Sequence, residues 1–155
     1  MSLRWSTESD YDVLGCVMFD AVHRGRSLYT DTQRRAWVPA PRTGEDWRAR
    51  LARQHVLLAE ADGVAQGFMS LLPNGYIDFA YIRPAFQRTG LFRLLFQAIE
   101  GKAAQLEITR LFTHASLVAQ PAFRAMGFRV VRPETVKLGG ETFDRYEMEK
   151  LLTKA

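Results

Sequence analysis

Two local patterns in this chain could do chemistry. The first is Gln87-Arg88-Thr89-Gly90, which runs directly into an apolar-periodic stretch beginning at Leu91. A helix starting there offers first-turn N–H groups without intrahelical partners and about half a positive charge. Glycine admits a bulky anion to that backbone, and Arg88 adds a charged donor, so the pattern suits a phosphate group. An ordinary turn has the same local appearance, and neither GxxxxGKS/T nor GxGxxG occurs. The second pattern is Asp78, a carboxylate in the otherwise apolar run Tyr76-Ile77-Asp78-Phe79-Ala80. Such a residue either faces solvent or is held in place to take a proton.

Other chemistries have little support. The single cysteine, Cys16, excludes an internal disulfide and a Cys-rich zinc site. Its neighbours Val13, Leu14, Val17 and Met18 predict a buried thiol. His23, His55 and His114 show no metal-ligand spacing, so no metal is expected. The net charge of +4 is spread over scattered arginines rather than a basic block. That suits a polyphosphate ligand. A nucleic-acid-binding reading rests on net charge alone, and such a partner is not expected. No apolar run approaches the ~20 residues that span a bilayer, and the start lacks a signal-type apolar segment. A cytoplasmic protein without a membrane partner is the expectation.

The elements that must position these residues follow from periodicity. The 155 residues, 47% of them hydrophobic, fit a single domain over residues 1–155. Leu3 to Ser6 suits a short strand. Thr7-Glu8-Ser9-Asp10 suits a capping box, opening a helix with Leu14, Val17, Met18 and Ala21 on one face and an end near Gly25. Ser27 to Arg42 reads as irregular. Thr43-Gly44-Glu45-Asp46 suits a second capping box before a short helix carrying Trp47 and Leu51. Three strands follow over 55–61, 64–72 and 76–83, with a hairpin turn at Asp62-Gly63. The next helix has Leu91, Leu94, Leu95, Ala98 and Ile99 at helical spacing. A strand over 108–114 follows, and the strand-helix-strand order predicts a right-handed crossover with locally parallel pairing. A short helix over 118–126 closes at Gly127, and two last strands meet at Gly139-Gly140. The fold class is α+β, with a mixed, mostly antiparallel sheet and helices on both faces.

"GYIDFAYIRP", "QRTG" and "ASLVAQPAFRAMGF" occur in that order. The combination resembles the GNAT N-acetyltransferase superfamily over nearly the whole chain, most closely its small bacterial YafP-like subgroup. There a strand and a Q/R-x-x-G-x-G/A turn lead into a helix that binds acyl-CoA. The resemblance implies acetyl transfer from acetyl-CoA to an amine of a small molecule or peptide, by direct attack in a ternary complex. The cofactor-binding residues it implies are Tyr81, Ile82, Gln87, Arg88, Thr89, Gly90, Leu91 and Phe92, with Ser116 and Phe123 from the later block. A backbone N–H near Ile82 would meet the developing oxyanion. Two positions depart from the family pattern. Phe92 stands where Gly or Ala is common, and Phe123 stands where many relatives have a tyrosine that protonates the leaving thiolate. They motivate an alternative, a non-catalytic CoA-binding or regulatory module on the same fold.

An alkyl amine arrives protonated, with a pKa near 10.4, so a base is needed. Asp78 is the first candidate, with Glu60 and His114 in reserve. The replacement acid would be Tyr81, Ser116 or water. In the family the acceptor contacts the N-terminal helices and their loop. Tyr29, Asp31, Trp37 and Trp47 fall there, and an aromatic wall with one acid would suit a cationic amine. Tyr29, Trp37 and Asp78 are the acceptor-binding candidates, the tryptophans serving equally well as core anchors. A monomer or homodimer is expected.

Overall fold

A computed structural model describes residues 1–152. Within these residues, seven strands and five α-helices follow one another: β1 Ser2–Trp5, α1 Tyr11–Arg24, α2 Asp31–Trp37, α3 Glu45–Ala52, β2 His55–Ala61, β3 Val64–Leu71, β4 Ala80–Ile82, α4 Leu91–Gln105, β5 Arg110–Ser116, α5 Gln120–Ala125, β6 Arg129–Leu138 and β7 Glu141–Leu151. They form an antiparallel four-stranded sheet, β1-β2-β3-β4, and an antiparallel three-stranded sheet, β5-β7-β6.

The first sheet is covered on both faces, which is why β2 reads as a near-continuous apolar run. Successive side chains point to opposite faces. Leu57 and Ala59 join Leu91, Leu95, Phe96 and Ile99 of α4 in one core. Val56 and Leu58 join Leu14, Val17 and Met18 of α1, together with Trp47 and Leu51 of α3, in the other. Each buried side chain of this size contributes roughly 1.5–3 kcal/mol, so the three helices are fixed to the sheet by their apolar stripes. Leu94 departs from the expected stripe and is 42% exposed.

Several local devices follow the sequence. Thr7 and Asp10 form the capping box ahead of α1. Asp62 and Gly63 both have positive φ, as a two-residue type I′ hairpin requires. Gly127, with φ +96°, ends the turn after α5. Others correct the sequence reading. The supposedly irregular Ser27–Arg42 contains α2, which has its own capping box from Thr30 and Gln33. Thr43 does not cap α3; Gly44 holds that position, and the Thr43 hydroxyl donates to Asp12. Cys16 is exposed rather than buried, because Gly15 takes the inward position on α1. A Cβ on Gly15 would lie 1.9 Å from the Arg42 carbonyl oxygen, so only glycine lets that loop cross so closely.

The expected third strand over 76–83 is broken, and this break makes the site. Only Ala80–Ile82 pairs regularly with β3. Tyr76 instead forms an isolated parallel bridge with Phe112 of β5. The Ile77 N–H donates to the Phe112 carbonyl at 2.9 Å, and the Phe112 N–H donates to Gly75 at 3.1 Å. The buried Thr113 hydroxyl donates to the Ile77 carbonyl at 2.8 Å. Gly75 has φ +96°, and a Cβ there would lie 2.1 Å from the Arg110 carbonyl oxygen. The two sheets are therefore pinned at one end, and beyond Ile77 they part. The expected parallel crossover pairing is confined to that bridge.

Candidate active site: an open seam between the sheets

The parted edges of β4 and β5 bound a cavity of about 970 Å³. One wall is β4 with the turn that follows it. Phe68 lies opposite Tyr81 in the β3–β4 ladder, the Ser70 N–H donates to Phe79, and the Arg83 N–H donates to Gln66. Main-chain direction alternates along an antiparallel strand, so Phe79, Tyr81 and Arg83 turn their peptide groups toward β3. The peptide groups of Ala80 and Ile82 then face the seam, where no strand pairs with them. Tyr81 thus offers the cavity its side chain, not its backbone. Ile82 does face it, and Ala80 was not foreseen.

The turn has a defined shape. Pro84–Phe86 make one 3-10 turn, Arg88 has φ +61°, and Gly90 has φ +84°. The Gln87 amide donates to the Ile82 carbonyl at 3.0 Å and ties the turn to the strand end. Thr89 donates its hydroxyl to the Phe86 carbonyl at 2.6 Å; its side chain braces the turn and does not line the cavity. Gly90 occupies the N-cap of the 15-residue α4, with no side-chain cap on the free N–H groups. A Cβ built on Gly90 meets nothing within 4 Å. Open space therefore lies in front of an uncapped helix end, which is the geometry that accepts a phosphate.

The charged residues lining the cavity are Arg26 and Arg88, and neither makes an ion pair among the described residues. Arg26 lies just past α1 and carried no sequence signal. The far wall is the end of β5 and the start of α5: Ser116, Leu117, Val118, Ala119, Pro121 and Ala122. The Ser116 hydroxyl accepts from the Ala119 N–H at 3.1 Å. Phe92 lines the cavity, but its ring meets Phe123 edge-on at 5.2 Å and so turns toward the core. Phe123 does not reach the seam. It is 2% exposed, packed between Phe92 and Phe128, because it lies on the core-facing side of α5.

The inner wall is aromatic. Trp37 lies 5.9 Å from Tyr29 and 6.2 Å from Tyr81, and all three line the cavity. Trp47 is instead a core anchor, 4% exposed, its indole N–H bonded to the Tyr11 carbonyl. The Tyr29 hydroxyl donates to the Asp144 carbonyl at 2.6 Å and accepts from the Leu117 N–H at 3.3 Å, so it links the loop before α2, the turn after β5, and β7. Burial raises the pKa of Tyr29 and raises that of Tyr81 far above the ordinary tyrosine range, so both remain phenols at neutral pH. Asp31 does not join this wall; its side chain is 77% exposed and paired with Arg34.

The three base candidates lie outside the cavity lining. Asp78 is 9% exposed at its side chain and gripped by Arg50, whose Nη2 and Nε donate at 2.6 and 2.9 Å, and by Gln54 at 2.7 Å. It lines a separate hollow of about 400 Å³ with Arg50 and Gln54. The ion pair in turn raises the pKa of Arg50. The apolar strand around Asp78 is thus explained by a partner on α3. Glu60 is held by Arg4, which also binds Asp10, on a strand two removed from β4. His114 shares Nδ1 with Glu134 at 2.8 Å and stacks near Tyr76 at 5.6 Å. Burial works against the Glu134 charge, but His114 and Arg145 together hold its pKa below the ordinary range. Glu147 lies within reach of His114 and Glu134. Arg132 and Arg145 already supply positive charge to those two carboxylates.

Two sheets joined at one bridge and parted beyond it leave an open seam with an uncapped helix start at its mouth. Residues 26–151 match the Acetyltransferase (GNAT) domain family, and the chain belongs to it. It is an acyltransferase of that class. The chain is 26% identical over 140 residues to the uncharacterized N-acetyltransferase YafP of Escherichia coli K12, covering 90% of this chain and 88% of that protein. A GCN5-related N-acetyltransferase from Rhodopseudomonas palustris superposes with a TM-score of 0.88 at 27% identity, over 97% of this chain and 95% of that one. The PaiA N-acetyltransferase of Thermoplasma acidophilum, solved in complex with coenzyme A, shares the fold with a TM-score of 0.75 at 18% identity, over 97% and 99% of the two chains.

Proposed function

We propose that this protein transfers an acetyl group from acetyl-CoA to the amine of a small molecule or peptide, both bound at once in the seam. The observation that carries the proposal is the open space in front of Gly90 at the uncapped start of α4, continuous with a cavity that reaches the aromatic wall. The amides of the first turn of α4 would hold the pyrophosphate, with Arg88 and Arg26 adding charge. The peptide groups of Ala80 and Ile82 would hydrogen-bond the pantetheine arm as a missing strand would. The Ile82 N–H is our candidate donor to the oxygen that gains charge as the amine attacks. In that attack an N–C bond forms and the C–S bond breaks. The amine proton ends on solvent or on the departing thiolate.

A replacement acid is not essential to this account. A thiol of pKa about 8.5 leaves as thiolate near pH 7 with a shortfall of roughly 2 kcal/mol. The relatives solved with coenzyme A and with acetyl-CoA, the latter YncA of Salmonella typhimurium, support the choice of donor. Acceptor-dependent thiol release from acetyl-CoA tests the proposal. Release that requires an amine supports it. Saturable CoA binding with no release across a broad amine panel would favour a regulatory module.

A further inference from the structure

We infer that the acceptor is an arylamine, a flat ring bearing an amine that is already neutral near pH 7, seated against Tyr29, Trp37 and Tyr81. The inference rests on the acetyltransferase reading and names its substrate class. Three observations converge on it.

The first is shape. Trp37 stands edge-on to Tyr29 at 88° and tilted to Tyr81 at 54°, with Phe143 behind it at 6.4 Å. Rings at this spacing offer faces and edges to another ring.

The second is charge. An aromatic wall also attracts cations, but a cationic acceptor profits most where an acid stands nearby. Among the described residues the cavity lining contains no Asp or Glu, and its charged members are Arg26 and Arg88. Arg42 reaches under the same wall, donating to the Trp37 carbonyl at 3.4 Å, and makes no ion pair among the described residues. With acetyl-CoA bound, Arg26 and Arg88 face its phosphates, so what the wall itself offers a second cation is Arg42 beneath it and no lining carboxylate; Asp78 and Asp144, in electrostatic range of the Tyr81 and Tyr29 phenols, lie outside the lining.

The third is the missing base. Asp78, Glu60 and His114 are each held by a partner away from the lining. The two phenols of the wall do not ionise near neutrality. At pH 7 an alkyl ammonium of pKa about 10.4 is neutral in roughly one molecule in 2,500. An arylamine delocalises its lone pair into the ring and is neutral there, so it attacks without prior deprotonation. Its N–C bond forms, the thioester C–S bond breaks, and the proton shed by nitrogen neutralises the departing thiolate. An N-aryl acetamide and a free thiol result, with no net proton released.

The test uses two isomers, para-toluidine and benzylamine, with the intact protein and acetyl-CoA. The ring and formula are shared, and only basicity and the placement of one carbon differ. We expect kcat/KM for para-toluidine to exceed that for benzylamine about tenfold or more at pH 7 and to stay flat to about pH 9, while benzylamine gains as its amine deprotonates. Trp37→Ala should raise KM for para-toluidine about tenfold, the equivalent of about 1.4 kcal/mol of ring contact, with KM for acetyl-CoA changed less than about twofold. Benzylamine turned over as fast at pH 7 would overturn the arylamine inference and leave acetyl transfer standing. If neither isomer reacts, equilibrium dialysis of para-toluidine against the CoA-saturated protein decides. Saturable binding lost in Trp37→Ala supports the inference, and no binding overturns it. A melting shift with acetyl-CoA reports separately on the acetyltransferase reading.

Discussion

Gly90→Asp separates ligand binding from folding. The residue has φ +84° and ψ 1°, a left-handed conformation that costs a non-glycine residue about 1–2 kcal/mol, less for Asp and Asn than for others. Its Cβ would meet no protein atom within 4 Å, so no clash adds to that cost. The usual N-cap gain needs extended backbone and is not available at this φ. A negative charge at the helix start returns about 0.3–1 kcal/mol. Folding stability should therefore fall by about 1 kcal/mol, or about 2–4 °C in Tm for a domain of this size. Ligand binding is affected far more. A carboxylate about 5 Å from a phosphate, at an effective dielectric near 20, is repelled by about 3 kcal/mol, which is a loss of more than about 100-fold in affinity. Gly90→Ala is the control, because it carries the backbone strain without the charge and should lose about tenfold or less. Isothermal titration with CoA, beside thermal melts, measures both quantities. Equal CoA affinity in wild type and Gly90→Asp would refute the placement of the pyrophosphate at this helix start.

Asp78→Asn should act on stability rather than on proton transfer. It breaks the bidentate Arg50 pair at a nearly buried carboxylate, and with Arg50 itself 44% exposed the expected loss is about 1–2 kcal/mol by thermal melt. The pH profile of kcat/KM should keep its shape; a lost acid limb would restore Asp78 as base. Phe123→Tyr should leave kcat unchanged and lower Tm, since a hydroxyl at this buried position costs about 1–3 kcal/mol if unpaired; a severalfold gain in kcat would show that the ring reaches the thiolate. The Arg4 hydrogen bond, with help from the Thr7 N–H, lowers the pKa of Asp10 against the opposing effect of burial. Its folded pKa is thus below the unfolded value of about 3.9, so its contribution is present above that value and lost as pH falls through the folded pKa. Asp10→Asn should lower Tm at neutral pH and flatten the acid limb of a Tm–pH curve below about pH 4, and an unchanged limb would contradict the pairing.

The parts of this molecule that follow a local rule could be read from the chain. The β2–β3 hairpin follows from Asp62-Gly63, α4 from its apolar period, and the uncapped start of α4 from the glycine ahead of it. The parts set by tertiary partners could not. Asp78 looked reactive because its local neighbours are apolar, whereas its stabilising partner, Arg50, lies 28 positions away on α3. Phe123 stands where the resemblance implied a proton-donating tyrosine, but the rotation of the short α5 turns it into the core beside Phe128. Arg26 and α2 lay in a segment without a strong period, and only the Thr30–Gln33 capping pattern could have signalled that helix. Ala80 was invisible because its contribution is its backbone direction, fixed by the register of β4 on β3.

The central claim is that the seam between β4 and β5 is an acetyl-CoA site, and a thermal melt with and without acetyl-CoA tests it most directly. A ligand at 100 times its Kd adds about 2.7 kcal/mol to the folded state. For a domain of this size that corresponds to a rise of about 5–10 °C in Tm. The account predicts such a rise in wild type and little or none in Gly90→Asp at the same concentration. A wild-type melting curve unmoved by saturating acetyl-CoA would contradict it.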